Sequence, residues 1–232
     1  MTVIWIVLIV CGYILGSIPM SLLAAKARGV DLRKQGTHQV GAGNLWRTTT
    51  RKLGLTVGIY DFLKGMLIIW IAQAQGLDAG QQLVVGLAVI VGHNWPVFLR
   101  FHGGRGIATL LGIAIILPCL NDISFWPTTI AIAFVVITTL ILRSSALPVF
   151  FGAASLSLTT WLFGDDASIA LAYLAIFLVV IIKRLTAQAM PEDLKIGRGQ
   201  LIINRLFFDR DIRDKTVWMH RKPIEELEKL DD

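Results

Sequence analysis

Long apolar blocks, each close to the length of a membrane-spanning helix, dominate this chain of 232 residues. Hydrophobic residues make up 55% of it and charged residues only 16%, whereas a soluble domain carries about a quarter charged residues. A helix needs ~20 apolar residues to cross a bilayer, and a transmembrane β-strand shows ~10-residue alternation. The block at 130–142 does not alternate. Because a backbone in lipid must satisfy its own hydrogen bonds, we predict an all-α, polytopic transmembrane protein.

Seven blocks are predicted as spans, at residues 3–24, 53–73, 82–100, 107–121, 123–142, 146–163 and 167–183. Lys and Arg follow the odd-numbered spans and are absent from the connections after the even-numbered ones. By the positive-inside rule this alternation predicts about seven spans, with the N-terminus outside and the C-terminus in the cytoplasm. Most of the net charge of +6 then lies on one face, where it meets anionic headgroups or anionic substrates.

The chain divides by composition into a transmembrane domain at 1–186 and a polar cytoplasmic tail at 187–232. Within the tail, the segment 224–230 (IEELEKL) follows Pro223 and has the pattern of a short amphipathic helix. It is either a solvated surface helix or a helix that docks on the membrane or on a partner.

The first candidate site is the segment 36–47, GTHQVGAGNLWR, in the connection after the first span. Glycine lets backbone N–H groups approach an anion closely, and an arginine pairs with phosphate oxygens through two hydrogen bonds. The alternative is a flexible polar loop without a ligand.

The second candidate site is the segment 92–109, GHNWPVFLRFHGGRGIAT. Its Gly-Gly-Arg-Gly turn opens the next apolar helix, and the bare N–H groups of a helix N-terminus attract anions. The spacing is not that of a nucleotide P-loop. The alternative is a simple turn whose arginine only sets the membrane orientation.

Ionisable groups inside a predicted span form the third candidate, Asp61 and Lys64 in DFLKG. Their i,i+3 spacing allows an ion pair, and the alternative is a lysine that faces substrate. His38 and His93 stand near span ends, where a histidine is more often a hydrogen-bonding residue than a base. Cys11 and Cys119 lack metal-ligand spacing, so we expect no metal and no cofactor.

Together, GSIP at 16–19, the glycine-rich loop ending in Arg47, DFLKG and the segment 92–109 resemble the bacterial acyl-phosphate:glycerol-3-phosphate acyltransferases of the PlsY type. The resemblance covers about residues 1–186. It implies a seven-span protein of the bacterial inner membrane with its motifs on the cytoplasmic side. The implied partners are glycerol 3-phosphate, acyl phosphate and membrane lipid, with no nucleic acid.

Residue by residue, the resemblance implies that Thr37, Arg47 and Arg105 are catalytic. The implied substrate- and phosphate-binding residues are Gly36, Gly41, Asn44, Lys64, His93, Gly103, Gly104, Gly106 and Thr109. The family's third motif is divergent, since Leu178 and Ile181 stand where a His and an Asn are expected. Only its end, Lys183-Arg184-Leu185, matches, while Asn204-Arg205-Leu206 has similar letters in another order.

The implied reaction transfers a fatty acyl group from acyl phosphate to the 1-hydroxyl of glycerol 3-phosphate and gives lysophosphatidic acid. Two alternatives remain at this point. A transporter or flippase for an anionic solute would show broken helices in paired repeats, and no repeat is visible. A catalytically degenerate family member with a binding or scaffold role is the second alternative, because of the divergent third motif.

Overall fold

The computed structural model describes residues 2–164, 166–186 and 196–219, and within these ranges all regular secondary structure is helical. The helices are α1 Thr2–Ser17, α2 Met20–Lys26, α3 Ala42–Thr48, α4 Arg51–Ala74, α5 Ala79–Asn94, α6 Ile107–Leu120, α7 Trp126–Leu142, α8 Ala146–Leu162, α9 Ala167–Leu185, α10 Arg198–Phe208 and α11 Lys215–Met219, with a 3-10 turn at Val97–Leu99. The all-α prediction is confirmed for this part of the chain. The helix predicted at 224–230 lies outside the described residues.

Four helical stretches among the described residues are long and apolar enough to cross a membrane: Thr2–Lys26, Arg51–Ala74, Ala79–Leu99 and Ala167–Leu185. The helices α6, α7 and α8 are apolar but have only 14, 17 and 17 residues. At ~1.5 Å per residue, 17 residues extend over ~25 Å, a little less than the ~30 Å hydrocarbon core. Four spans therefore follow from length and composition, and the count of seven stays a prediction.

Prolines set two helix boundaries that the apolar pattern misses. The first predicted span is interrupted at Pro19, between α1 and α2. The third ends at Asn94, because Trp95 precedes Pro96 and adopts φ −130° and ψ 68°, away from helical geometry. The chain after Asn94 is consequently a loop that returns towards the end of α5, which is where the second candidate site lies.

The helices α1 and α5 run parallel in close contact. At one end the Trp5 indole donates to the Gln81 carbonyl at 3.2 Å, and at the other the Ser17 hydroxyl lies 3.5 Å from the Gly92 carbonyl. A Cβ on Gly16 would collide with the Val89 carbonyl, and one on Gly92 with the Tyr13 carbonyl. Small residues let the two backbones approach, as is usual for packed transmembrane helices.

The basic connections meet at one end of the bundle. Arg105 donates to the Lys183 carbonyl at 3.2 Å, and Arg184 donates to the Ala146 carbonyl at 2.7 Å. At the opposite end the Gln82 and Asn121 side-chain amides bond each other at 2.9 and 3.0 Å. Between the two ends lies an apolar core that includes the fully buried side chains of Ile69, Leu83, Val89, Ile90, Ile113, Leu117 and Ile176.

Candidate active site

A buried cluster of three ionisable side chains joins α4 to the end of α5. The Lys64 ammonium lies 2.7 Å from the Asp61 carboxylate and 2.9 Å from Nδ1 of His93. Asp61 and Lys64 are 5% and 3% exposed. The predicted i,i+3 ion pair is present, and the histidine makes it a three-membered network.

The distances in this cluster favour one tautomer of the histidine. Nδ1 of His93 lies 2.9 Å from the Lys64 nitrogen and 3.5 Å from the Asp61 carboxylate. An ammonium has only donors, so beside a charged Lys64 the Nδ1 atom accepts and a neutral imidazole carries its proton on Nε2. His93 therefore presents an N–H donor on the side facing away from Lys64.

The glycines of the second candidate site bring the backbone against this donor. The N–H groups of Gly103 and Gly104 bond the carbonyls of Asn94 and His93 at 3.2 and 3.0 Å. A Cβ on Gly104 would collide with Nε2 of His93, so only glycine permits this approach. Gly106 has φ +68° and caps the N-terminus of α6, while Thr109 is buried in the first turn of that helix.

Arg105 and Lys183 bring two further cations to the same turn. The Lys183 ammonium donates to the Asn94 carbonyl and lies 5.1 Å from the centre of the Trp95 ring. The Arg105 guanidinium donates to the Lys183 carbonyl at 3.2 Å and to Asp209 at 3.0 Å. The end of α9 is thereby joined to the second candidate site.

The first candidate site is organised around one buried amide. Asn44 is 3% exposed; its oxygen accepts from the Thr37 N–H at 2.9 Å, and its nitrogen lies 3.0–3.1 Å from the carbonyls of Leu32, Gln35 and Gln39. Gly36 has φ +64°, and a Cβ there would collide with the Asn44 oxygen. Asn44 thus shapes the loop that holds the buried Thr37, and its amide is occupied within the protein.

Arg47 lies on the exposed face of α3, whose N-terminus is capped by Gly41. Its guanidinium donates to the Gly43 carbonyl of its own helix at 2.9 Å. The structure brings Thr37, Asn44 and Gly36 together but leaves the Arg47 side chain outside that cluster. Near the start of the loop, a side-chain hydrogen bond from Arg33 lowers the pKa of Asp31 to about 2, so this pair remains ionised at neutral pH.

A narrow cleft gathers parts of all three sequence motifs. Its lining includes the link at 16–21, Val40 of the first loop, and Asp61, His93, Gly103 and Gly104. A separate apolar groove is lined by Leu15, Tyr60, Leu63, Lys64, Met66, Leu67, Trp70 and Ile116. Asp61 lines the cleft and its partner Lys64 lines the groove, so the two meet at this ion pair.

The divergent third motif lies on α9. Leu178 is 48% exposed on the outer surface of the bundle, so its position does not face the cleft. Sequence reasoning matched Lys183 to the end of the third motif but gave it no role in the site, and it missed Asn94, whose carbonyl accepts a hydrogen bond from Lys183. It also missed Asp209, for which the primary sequence carries no signal.

The fold, the buried polar cluster and the adjoining apolar groove are those of an integral-membrane protein with a candidate site at its basic end. A family model described as glycerol-3-phosphate acyltransferase matches residues 6–189, so this chain belongs to that family of acyltransferases. The chain is 38% identical to glycerol-3-phosphate acyltransferase 4 of Dehalococcoides mccartyi (strain CBDB1), over 99% of both chains. It is 39% identical to glycerol-3-phosphate acyltransferase 5 of Dehalococcoides mccartyi (strain ATCC BAA-2266), over 97% of this chain and 98% of the relative.

Solved structures show the same similarity. The crystal structure of PlsY, an integral membrane glycerol 3-phosphate acyltransferase, in its glycerol 3-phosphate form matches with a TM-score of 0.70 and 31% identity, over 78% of this chain and 88% of that chain. The lysophosphatidic acid form matches with a TM-score of 0.70 and 27% identity, over 94% of this chain and 99% of that one. The resemblance identified from the motifs is confirmed.

Proposed function

We propose that this glycerol-3-phosphate acyltransferase uses acyl phosphate as its donor and produces lysophosphatidic acid and inorganic phosphate. The observation that carries the proposal is the Asp61–Lys64 ion pair, which has Asp61 in a cleft with His93 and Lys64 in an apolar groove. An acyl phosphate has a charged head and an apolar chain, so charged groups beside an apolar groove suit it. The relatives' names and the two forms of the similar structure support the acceptor and the product.

An acyl phosphate is activated enough to react without an enzyme nucleophile. The 1-hydroxyl of glycerol 3-phosphate attacks the acyl carbon, a carbon–oxygen bond forms, and the bond from that carbon to the phosphate oxygen breaks. The hydroxyl proton passes to a phosphate oxygen. The protein's role is to hold two anions together and to stabilise the developing oxyanion with fixed donors. We assign this role to the Nε2–H of His93 and to the cations Arg105 and Lys183, which lie near the turn at 103–106. Thr37 and Arg47 are proposed to orient the substrates.

The decisive experiment is turnover by the purified full chain in lipid nanodiscs. Acyl phosphate and labelled glycerol 3-phosphate should give labelled lysophosphatidic acid, while acyl-CoA and acyl-carrier protein at matched concentrations should not. Comparable turnover with acyl-CoA would refute the donor assignment. A complete absence of product with every donor would instead favour the degenerate family member.

We further propose that the chain is a multi-pass protein of the bacterial inner membrane with seven spans, the N-terminus outside and the tail from residue 187 in the cytoplasm. The clustering of basic connections at one end supports this orientation. After Cys11 and Cys119 are replaced by alanine, single cysteines at Asp78, Asp122 and Asp166 should react with an impermeant reagent added outside intact cells. Labelling of these positions only after the cells are opened would contradict the arrangement.

A further inference from the structure

The C-terminal segment 196–219 lies beyond residue 189, where the match to the family model ends. It nevertheless packs on the basic end of the bundle, with α10 against α8 and α9. Two guanidinium groups cross between α9 and α10: Arg184 donates to the Leu206 carbonyl at 2.6 Å and Arg205 to the Leu185 carbonyl at 2.8 Å. The segment is thus fixed beside Lys183 and Arg105.

One residue of this segment reaches the candidate active site. Asp209 follows the last residue of α10 with φ +55°, a left-handed conformation that aspartate adopts more readily than most residues. Its carboxylate accepts a hydrogen bond from Nε of Arg105 at 3.0 Å through one oxygen and holds the other oxygen 2.9 Å from the same nitrogen. The Arg105 and Asp209 side chains are 18% and 21% exposed.

The chain directly after Asp209 is held by a second carboxylate. Asp211 accepts from Nε of Arg205 at 2.6 Å, and its backbone carbonyl accepts from the buried Asn204 amide at 2.7 Å. Two residues beyond Asp209, the backbone is therefore anchored to α10. Asp209 is presented to Arg105 by a turn with fixed partners.

These contacts leave one part of the guanidinium open. Nε of Arg105 is bonded to Asp209 and NH1 to the Lys183 carbonyl, while NH2 has no hydrogen-bond partner within residues 2–164, 166–186 and 196–219. The guanidinium is planar, so fixing two of its nitrogens also fixes the direction of the third. Asp209 also places a negative charge beside a cation that otherwise repels the neighbouring Lys183.

We propose that Asp209 is a positioning residue for acyl transfer: it holds Arg105 by Nε so that NH2 donates to a phosphate oxygen of a substrate. This inference rests on the proposed function, because it assumes that the anion bound at the turn is a reacting phosphate. The phosphate belongs either to glycerol 3-phosphate or to acyl phosphate, and the experiment separates the two.

The test compares the full-length wild type with the Asp209→Asn, Asp209→Glu, Arg105→Lys and Arg105→Lys/Asp209→Asn variants in nanodiscs. Asp209→Asn should lower kcat/KM about tenfold, as expected when a charge-assisted hydrogen bond is lost, and Asp209→Glu should recover part of this. Each substrate is varied at saturation of the other. The substrate whose KM rises in Asp209→Asn is the one whose phosphate Arg105 binds. When Arg105 is already replaced by lysine, Asp209→Asn should lower kcat/KM by less than about twofold, since a lysine has no Nε for Asp209 to hold.

Asp214 offers a matched control, because it is an exposed carboxylate of the same segment that accepts hydrogen bonds from the backbone N–H groups of Thr216 and Val217 at the start of α11. Asp214→Asn should stay within about twofold of the wild type. If Asp209→Asn lowers kcat/KM by the same factor in the wild type and in the Arg105→Lys variant, Asp209 merely docks the segment and the inference is wrong. If it lowers a substrate KM instead, Asp209 competes with phosphate, and the inference is equally wrong.

Binding measurements keep the inference separate from the proposed function. Dissociation constants for glycerol 3-phosphate alone and for acyl phosphate alone, obtained by ligand-dependent thermal shift, require no turnover. Asp209→Asn should weaken one of them by roughly three- to tenfold. If Asp209→Asn binds both ligands as tightly as the wild type does, the inference is wrong even when the protein is inactive. If the wild type is inactive but Asp209→Asn weakens the binding of one ligand as expected, only the proposed donor chemistry is wrong.

Discussion

The loop that holds Thr37 and the turn that holds Arg105 are built by opposite means. The first is shaped by one neutral amide, Asn44, and its arginine, Arg47, lies exposed on the surface of α3. The second is built from charges that pair inside the protein, Asp61 with Lys64 and Asp209 with Arg105. One region therefore offers a solvent-exposed cation on a short helix, and the other offers cations paired with carboxylates of the protein.

The difference predicts how each region responds to mutation. Fixed charges stabilise a transition state without reorganisation, but they are expensive to leave unpaired. Removal of an exposed arginine costs little stability, and the side-chain entropy that it loses on binding reduces its contribution to affinity. Four substitutions test this contrast.

The largest effect is expected for Lys64→Met. It leaves the Asp61 carboxylate buried without its partner, which costs about 3–5 kcal/mol. The free energy of unfolding should fall by that amount in detergent, and lysophosphatidic acid formation should drop more than ~100-fold. The double variant Asp61→Asn/Lys64→Met should recover most of the stability but none of the activity; a stable and active Lys64→Met protein would show that the pair is dispensable.

Removal of the second fixed cation, in Arg105→Ala, should act on the reaction more than on the fold. Loss of a charge-assisted hydrogen bond of about 1.5–3 kcal/mol corresponds to ~10–150-fold in kcat/KM. Steady-state kinetics with both substrates measures it, with thermal unfolding as the check on folding. An unchanged kcat/KM would exclude Arg105 from the site.

In the first loop, Asn44→Asp should disturb the loop while sparing the buried charges. A carboxylate would face the carbonyls of Leu32, Gln35 and Gln39 and could no longer donate to them. Unsatisfied buried groups cost about 1–3 kcal/mol, so amide hydrogen exchange across 32–41 should accelerate by roughly 5–150-fold. Unchanged protection would show that Asn44 does not organise this loop.

Arg47→Ala should have the smallest effect of the four. Because the side chain must be ordered on binding, we expect a rise in one substrate KM of about tenfold with stability unchanged. Arg143 is the matched control, since it is an exposed arginine of the same basic end that belongs to none of the motifs. If Arg143→Ala raises KM equally, the arginines act through general charge and not through a defined site.

The apolar blocks made most of the fold predictable. The spans expected at 53–73 and 107–121 differ from α4 and α6 by at most two residues at each end, because bilayer-length apolar runs have few alternative structures. The short α3 was missed, since its seven residues lie in a glycine-rich segment that has the pattern of a loop. The helix α10 was missed because it forms on the surface of α8 and α9, which the polar composition of the tail does not reveal. The five-residue α11 was missed as well.

The candidate site was predictable where its residues are close in sequence and not where they are distant. Asp61 and Lys64 share a helix turn, so their pairing follows from spacing alone. The contact of His93 with Lys64 spans 29 residues and that of Asp209 with Arg105 spans 104. Such contacts depend on helix packing and on the path of the loop after Asn94, neither of which is written in a local pattern.

The bond from Lys183 to the Asn94 carbonyl joins residues 89 positions apart and has a consequence for biosynthesis. The turn at 103–106 is translated before α9 and before the segment that carries Asp209. During that interval Arg105 has neither the Lys183 carbonyl nor Asp209 to hold it. The site is therefore completed by residues that are translated well after its motifs, and a nascent or prematurely terminated polypeptide carries its motifs without the contacts that assemble them.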